Sequence, residues 1–145
     1  MKTIKRSNES LQEISKFYES LGYGGGVKDN DDIFLTYLKE ELICSVRLVE
    51  ENSVIVLRGM FMLERFRGKG RGKDILNSLI PYLDQKEQDC YCIPKSNLEK
   101  FYGSIGFNKI NLNESPPFLK DRLTEYLNKG FDVILMCRKV YFNNY

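Results

Sequence analysis

The chain has 145 residues, with 22 Lys plus Arg against 20 Asp plus Glu and a formal net charge of +2. So small an excess excludes a polybasic nucleic-acid tail or an acidic disordered chain, and 42% hydrophobic content supplies a real core for one compact domain, 1–145. The absence of histidine excludes histidine bases, the usual triads and most catalytic zinc centres.

The order of elements is β/α, then a run of three strands, then strands and helices in alternation. The first helix opens at Ser10, which with Glu13 forms a capping box; Leu11, Ile14, Phe17, Tyr18 and Leu21 keep helical spacing, and Gly22 ends it. Gly24-Gly25-Gly26 and the polar run 27–32 read as an exposed loop. Three extended segments follow at 33–38, 42–49 and 54–63, the last two joined by a polar turn, Glu50-Glu51-Asn52-Ser53. Residues 65–73 form a basic, glycine-rich loop that opens a helix with Ile75, Leu76, Leu79, Ile80 and Leu83 on one face. Pro81 interrupts its hydrogen-bond ladder, which predicts a kink or restart.

A short strand is expected at 90–93. Ser96 and Glu99 form a second capping box, opening a short helix closed by Gly106, and a strand is expected at 107–112. Ser115-Pro116 caps a last helix with Phe118, Leu119, Leu123, Tyr126 and Leu127 inward and Gly130 as stop, before a buried-type strand at 132–138. The pattern predicts a mixed α/β sheet of about six or seven strands covered by helices.

Cys44, Cys90, Cys92 and Cys137 show no C-x-x-C spacing, and the opening residues have no apolar signal-peptide core. The expectation is a cytoplasmic protein with reduced thiols, no metal and no membrane span. Cys90 and Cys92 share one face of a short strand, where packing is the default role.

In Arg67-Gly68-Lys69-Gly70-Arg71-Gly72-Lys73, glycines let the backbone approach a ligand, and the following helix presents unpaired N–H groups and a positive dipole end. Arg65, Arg67, Lys69, Arg71 and Lys73 surround it with cations. The segment suits a pyrophosphate, and equally a solvated basic turn or a weak RNA contact. It is not a Walker loop, because Asp74 follows Gly72-Lys73, nor a G-x-G-x-x-G fingerprint.

Arg67-x-x-Gly70-x-Gly72 resembles the R/Q-x-x-G-x-G/A motif of the GNAT acyltransferase superfamily. The surrounding LRGMFMLERFRGKGRGKDIL is similar to that family's fourth strand, pyrophosphate loop and helix, and LEKFYGSIGF resembles its F-Y-x-x-x-G-F element. The C-terminal stretch PPFLKDRLTEYLNKGFDVILMCRK resembles small bacterial members of undefined substrate. The resemblance implies an N-acetyltransferase domain using acetyl-CoA as co-substrate. Amides of Gly68, Lys69, Gly70, Arg71, Gly72 and Lys73 would hold the pyrophosphate, with Arg67 and Lys73 reaching phosphate oxygens. The backbone of Phe61, Met62 and Leu63 would hold the pantetheine and acetyl carbonyl. Tyr102 matches the family's tyrosine that protonates the departing thiolate, although its helix spacing with Leu98, Phe101 and Ile105 also suits core packing. The family's asparagine position is Lys95 here; Asn97, two residues on, is the alternative cofactor contact. The fourth-strand glutamate that serves some members as base falls near Val54, and no base is assigned.

Arg47 and Arg58 are the remaining candidates. If Val49 and Val54 close the hairpin, Arg47 lies opposite Val56 and Ser45 opposite Arg58, and the two arginines share a face. They then either pair with carboxylates such as Glu50 or Glu51, or line an acceptor cleft and favour an amine bearing an acidic group. The expected partner is a small-molecule amine, with no nucleic acid or membrane, and the protein a monomer or homodimer. The alternatives are a CoA-binding module without efficient catalysis and an acyltransferase acting on protein amines.

Overall fold

The computed structural model describes residues 1–23, 27, 28 and 30–140. The chain divides into two compact units, Met1–Ser78 and Leu79–Tyr145. Among the described residues there are seven strands and four α-helices, in the order expected of the α/β class.

The first unit begins with β1 (Lys2–Lys5) and α1 (Leu11–Ser20). The Ser10 hydroxyl accepts from the Gln12 N–H at 3.1 Å, so Ser10 caps the helix as expected, though through the second helical residue. β2 (Asp32–Leu38), β3 (Glu41–Glu51) and β4 (Val54–Met62) follow, and β1 to β4 pair antiparallel in chain order. Ile14 and Tyr18 of α1 pack with Ile33 and Leu35 of β2. Ile75, from the start of α2 (Arg71–Gln85), packs with Ile43 and Cys44 of β3.

The β3–β4 hairpin differs from its expected register. Glu51 pairs with Val54, so the loop is only Asn52-Ser53, both at positive φ (+49° and +69°). That is the mirror-image two-residue turn whose twist suits a hairpin, and it places Arg47 directly opposite Arg58. The polar Glu50 and Glu51 hid this, because they extend the strands rather than form the turn.

α2 is assigned from Arg71 to Gln85 with Pro81 inside it, so the expected restart does not occur. Pro81 and Asn77, whose carbonyl has no helical donor from Pro81, are both exposed residues.

In the second unit, β5 (Cys90–Cys92) pairs antiparallel with β7 (Met136–Arg138), which pairs with the two-residue β6 (Asn108–Lys109). Both late strands are shorter than the sequence suggests. α3 (Glu99–Gly103) is preceded by a 3-10 turn at Ser96–Leu98, so Ser96 opens that turn instead of capping the helix. α4 (Pro117–Asn128) buries Leu119 and Leu123, but Leu127 is 48% exposed, against expectation. Ser115 spends its hydroxyl on the Leu112 carbonyl, and Pro116 takes the cap position with Pro117 first in the helix. The Arg138 guanidinium donates to the Ile105 carbonyl at 2.8 Å and pairs with Asp84 at 2.9 Å, tying β7 to its neighbours.

Candidate active site

The glycine-rich segment sits between the end of β4 and α2. The Leu63 N–H still donates to the Ile43 carbonyl at 2.8 Å, and a 3-10 turn at Glu64–Phe66 then reverses the chain. Gly68 and Gly70 hold φ of +81° and +74°. A Cβ at either would meet nothing within 4 Å, so the backbone angle, not crowding, calls for glycine. The Asp74 N–H donates to the Gly70 carbonyl at 3.4 Å. The N–H groups of Arg71, Gly72 and Lys73 therefore precede the first intrahelical bond, at the positive end of a 15-residue helix.

The flanking cations divide by role. Arg67 donates through Nε to the Met62 carbonyl at 2.8 Å, which anchors its guanidinium beside the loop. Arg71 donates to the Phe66 carbonyl at 3.3 Å and stacks on the Phe66 ring at 5.6 Å. Arg65 covers the same ring and pairs with Glu41, so it is engaged away from the loop. Lys69 and Lys73 are exposed. Gly68, Gly70, helix amides and cations thus form a cradle whose chemistry fits a pyrophosphate.

At the end of β4, Phe61 packs toward α1, its ring 6.0 Å from Tyr18 and 4.9 Å from Tyr23. Met62 and Leu63 pack against the cluster of Ile43, Cys44 and Ile75. The Met62 carbonyl and Leu63 N–H already have the protein partners given above, which leaves the carbonyl's second lone pair as the acceptor capacity at Met62.

Arg47 is enclosed at 3% exposure, and its guanidinium meets Asp31 at 3.0 Å and the Tyr23 hydroxyl at 2.7 Å. It also lies over the rings of Tyr18 and Tyr23, each at 5.7 Å. Burial alone pushes its pKa down, but Tyr23, Tyr18 and Asp31 push it up further, so the charge is held firmly. Arg58 pairs with Glu51 at 2.9 Å and is partly exposed. Asp31, not Glu50, pairs with Arg47, and Glu51 pairs with Arg58.

Asp31 belongs to a stretch that reads as an exposed loop, yet it is buried, and Asp32 already begins β2. Gly24, Gly25, Gly26 and Asp29 of that loop lie outside the described residues. Tyr18, Tyr23 and Asp31 carry no sequence motif. The available signal was Arg47 itself: a cation inside the apolar run Ile43–Val49 requires a buried acid, and antiparallel pairing of Asp32 with Leu48 brings Asp31 to it.

In the second unit, Tyr102 of α3 is 6% exposed, its ring edge-on to Phe101 at 5.1 Å and Phe107 at 6.1 Å. Asn97 is exposed in the 3-10 turn before it. Cys90 and Cys92 are buried, and burial pushes the Cys92 thiol well up, which suits packing rather than nucleophilic attack. Among the described residues no group of three or more acidic or Cys side chains could hold a metal, and no helix is long and apolar enough to cross a membrane.

The profile of the acetyltransferase (GNAT) domain matches residues 5–121. Comparison with curated protein sequences gives no match. Solved structures share the fold at low identity. N-acetylglutamate synthase from Neisseria gonorrhoeae, complexed with coenzyme A and N-acetyl-glutamate, is 12% identical at a TM-score of 0.67; the alignment covers 98% of this chain and 36% of that one, so this chain spans about a third of it. A GNAT family acetyltransferase from Elizabethkingia anophelis with acetyl-CoA bound is 16% identical (TM-score 0.63, covering 96% and 97%). The ribosomal-protein-S18-alanine N-acetyltransferase from Escherichia coli is 13% identical (TM-score 0.66, covering 99% and 96%). With the profile running through most of its length and the strand–loop–helix cradle in place, the chain belongs to the GNAT acetyltransferase family.

Proposed function

We propose that residues 1–145 act as one acetyl-CoA-dependent N-acetyltransferase domain, moving acetyl to a primary amine by direct attack in a ternary complex. The observation that carries this reading is the cradle: two glycines at positive φ, three amides ahead of the first helical bond, and Arg67 fixed beside them by the Met62 carbonyl. Bound acetyl-CoA would supply an activated thioester carbonyl. The amides of Gly68 to Lys73 would hold its pyrophosphate, and the end of β4 would orient its pantetheine arm. The amine nitrogen forms the new bond to the acetyl carbon as the carbon–sulfur bond breaks. Tyr102 gives the sulfur its proton, the amine loses one to solvent, and solvent returns a proton to the Tyr102 phenolate. Asn97 is the further cofactor contact.

We take the acceptor to be a small amine. The solved relatives named above include one complexed with an acetylated amino acid and one named for a ribosomal protein, so both classes belong in the test. Arg58, partly exposed although paired with Glu51, would exchange that carboxylate for one on the acceptor, which favours an amine that bears an acidic group.

The test is release of CoA thiol from acetyl-CoA over a panel of acidic amines, neutral amines and peptides with free N-termini. Release above the amine-free rate with a small amine supports the proposal. Binding of acetyl-CoA without release on any amine would make the chain a CoA-binding module, and release with peptides alone would make it a protein acetyltransferase.

A further inference from the structure

β4 does not pair evenly with β3. From Ser45 to Arg47 the strand β3 advances two residues, while its partner goes from Phe61 back to Arg58, three residues. The extra residue makes a bulge, and Gly59 within it has φ +61°. A bulge bends its strand, so the direction taken by Phe61, Met62 and Leu63 depends on how Gly59 is held.

A side chain from α1 reaches it by hydrogen bond. The Tyr18 hydroxyl donates to the Gly59 carbonyl at 2.7 Å, across 41 residues of sequence. The Tyr18 ring is 1% exposed and packs on Tyr23 at 4.9 Å and on Phe61 at 6.0 Å. Arg47 stands beside the Tyr18 ring, its guanidinium 5.7 Å from the ring centre. A Cβ on Gly59 would sit 3.2 Å from both the Tyr18 hydroxyl and Arg47 Nε, tighter than ordinary packing. Arg47 cannot withdraw easily, since Asp31 and Tyr23 hold its guanidinium. Burial pushes the Tyr18 phenol up to about 12, against the pull of Ser45 and Arg47, so it remains a donor through any ordinary assay range.

We propose that Tyr18 is a positioning residue for acyl-CoA: its hydroxyl fixes the Gly59 bulge, and thereby the course on which β4 delivers the main chain of residues 61–63 to the cofactor. This rests on the proposed function for its consequence, though not for the bulge itself. At 1% exposure, Tyr18 would act through the main chain and not by touching a substrate.

The decisive variant is Tyr18→Phe, which keeps the ring and removes the hydroxyl. Two readouts are needed. Amide hydrogen exchange at residues 60–63 should quicken at least tenfold, and the dissociation constants of acetyl-CoA and CoA should rise about tenfold, with kcat at saturating acetyl-CoA within about twofold of the parent. Leu35→Val, a cavity change in the same buried cluster, should weaken the fold without either effect. Gly59→Ala, which crowds the same hydroxyl, should reproduce the faster exchange if Tyr18→Phe does not fold. Unchanged exchange at 60–63 in the folded variants, or equal effects from Leu35→Val, would overturn the proposal. If the parent binds no acetyl-CoA, the proposed function fails, while the exchange measurement still decides whether Tyr18 holds the bulge.

Discussion

Arg47 and Arg58 stand directly opposite each other on β3 and β4, and each is neutralised by a different carboxylate. Like charges so placed repel, and the two acids resolve the conflict differently. Asp31 and Arg47 are both 3% exposed, so removing one strands a buried charge; Glu51 and Arg58 are wetter, at 19% and 31%. Arg47→Met should therefore cost about 3–5 kcal/mol, partly recovered by adding Asp31→Asn. Arg58→Ala should cost at most about 1 kcal/mol. Urea unfolding with matched m-values measures both, and equal losses would contradict the contrast.

Gly70→Ala tests the cradle. Its Cβ enters open space, so the penalty is backbone strain at φ +74°, about 1–2 kcal/mol. The variant should melt a few degrees lower yet lose at least tenfold in acetyl-CoA affinity, because relaxing φ turns the first-turn amides of α2. Calorimetric titration checks this; an intact affinity with the lowered melting point would leave Gly70 a purely structural glycine.

For Tyr102→Phe, the expected outcome is a turnover at least tenfold lower with acetyl-CoA affinity nearly unchanged. Ring packing with Phe101 and Phe107 survives the change. Unaltered turnover would return Tyr102 to a core role.

Alkaline pH should destabilise the fold. Burial raises the Cys44 thiol from 9.0 to about 12 and the Tyr18 phenol from 10.0 to about 12. Well below pH 9 both are protonated, folded or unfolded. Above it the unfolded chain sheds protons that the folded chain keeps, so stability falls as pH rises. The slope approaches about 1.4 kcal/mol per pH unit for each such group. Unfolding free energies between pH 8 and pH 11 measure it, and Cys44→Ala should reduce the slope by close to one proton near pH 10. A flat profile to pH 11 would refute the assignment.

Much of this architecture was legible from local chemistry. Ser10 and the spacing of Ile14, Phe17 and Tyr18 specify α1, and Gly68 and Gly70 ahead of Ile75 and Leu76 specify the loop and helix that follow. The failures came where a nonlocal partner decides. Asn52-Ser53 forms the turn because β3 and β4 gain two more pairings, and no window over Glu50 to Ser53 shows that. Asp31 looks solvated until Arg47 is placed beside it. Ser96 has the residues of a capping box, but its N–H is taken by the Asp132 carbonyl at 3.0 Å and the helix starts later. Tyr18 reads as one more apolar helix position, since nothing in sequence tells a ring that only packs from one whose hydroxyl holds a distant bulge.

The central claim is that the α2 N-terminus holds the pyrophosphate of acetyl-CoA, and ligand-induced thermal stabilisation tests it most directly. At about 100 times the dissociation constant, binding adds roughly 2.7 kcal/mol, a shift of several degrees at this size. Acetyl-CoA and CoA should both raise the melting temperature, ATP at equal concentration should not, and Gly70→Ala should cut the rise to about half or less. No shift with any of the three would reduce the glycine-rich loop to a surface turn and contradict the account.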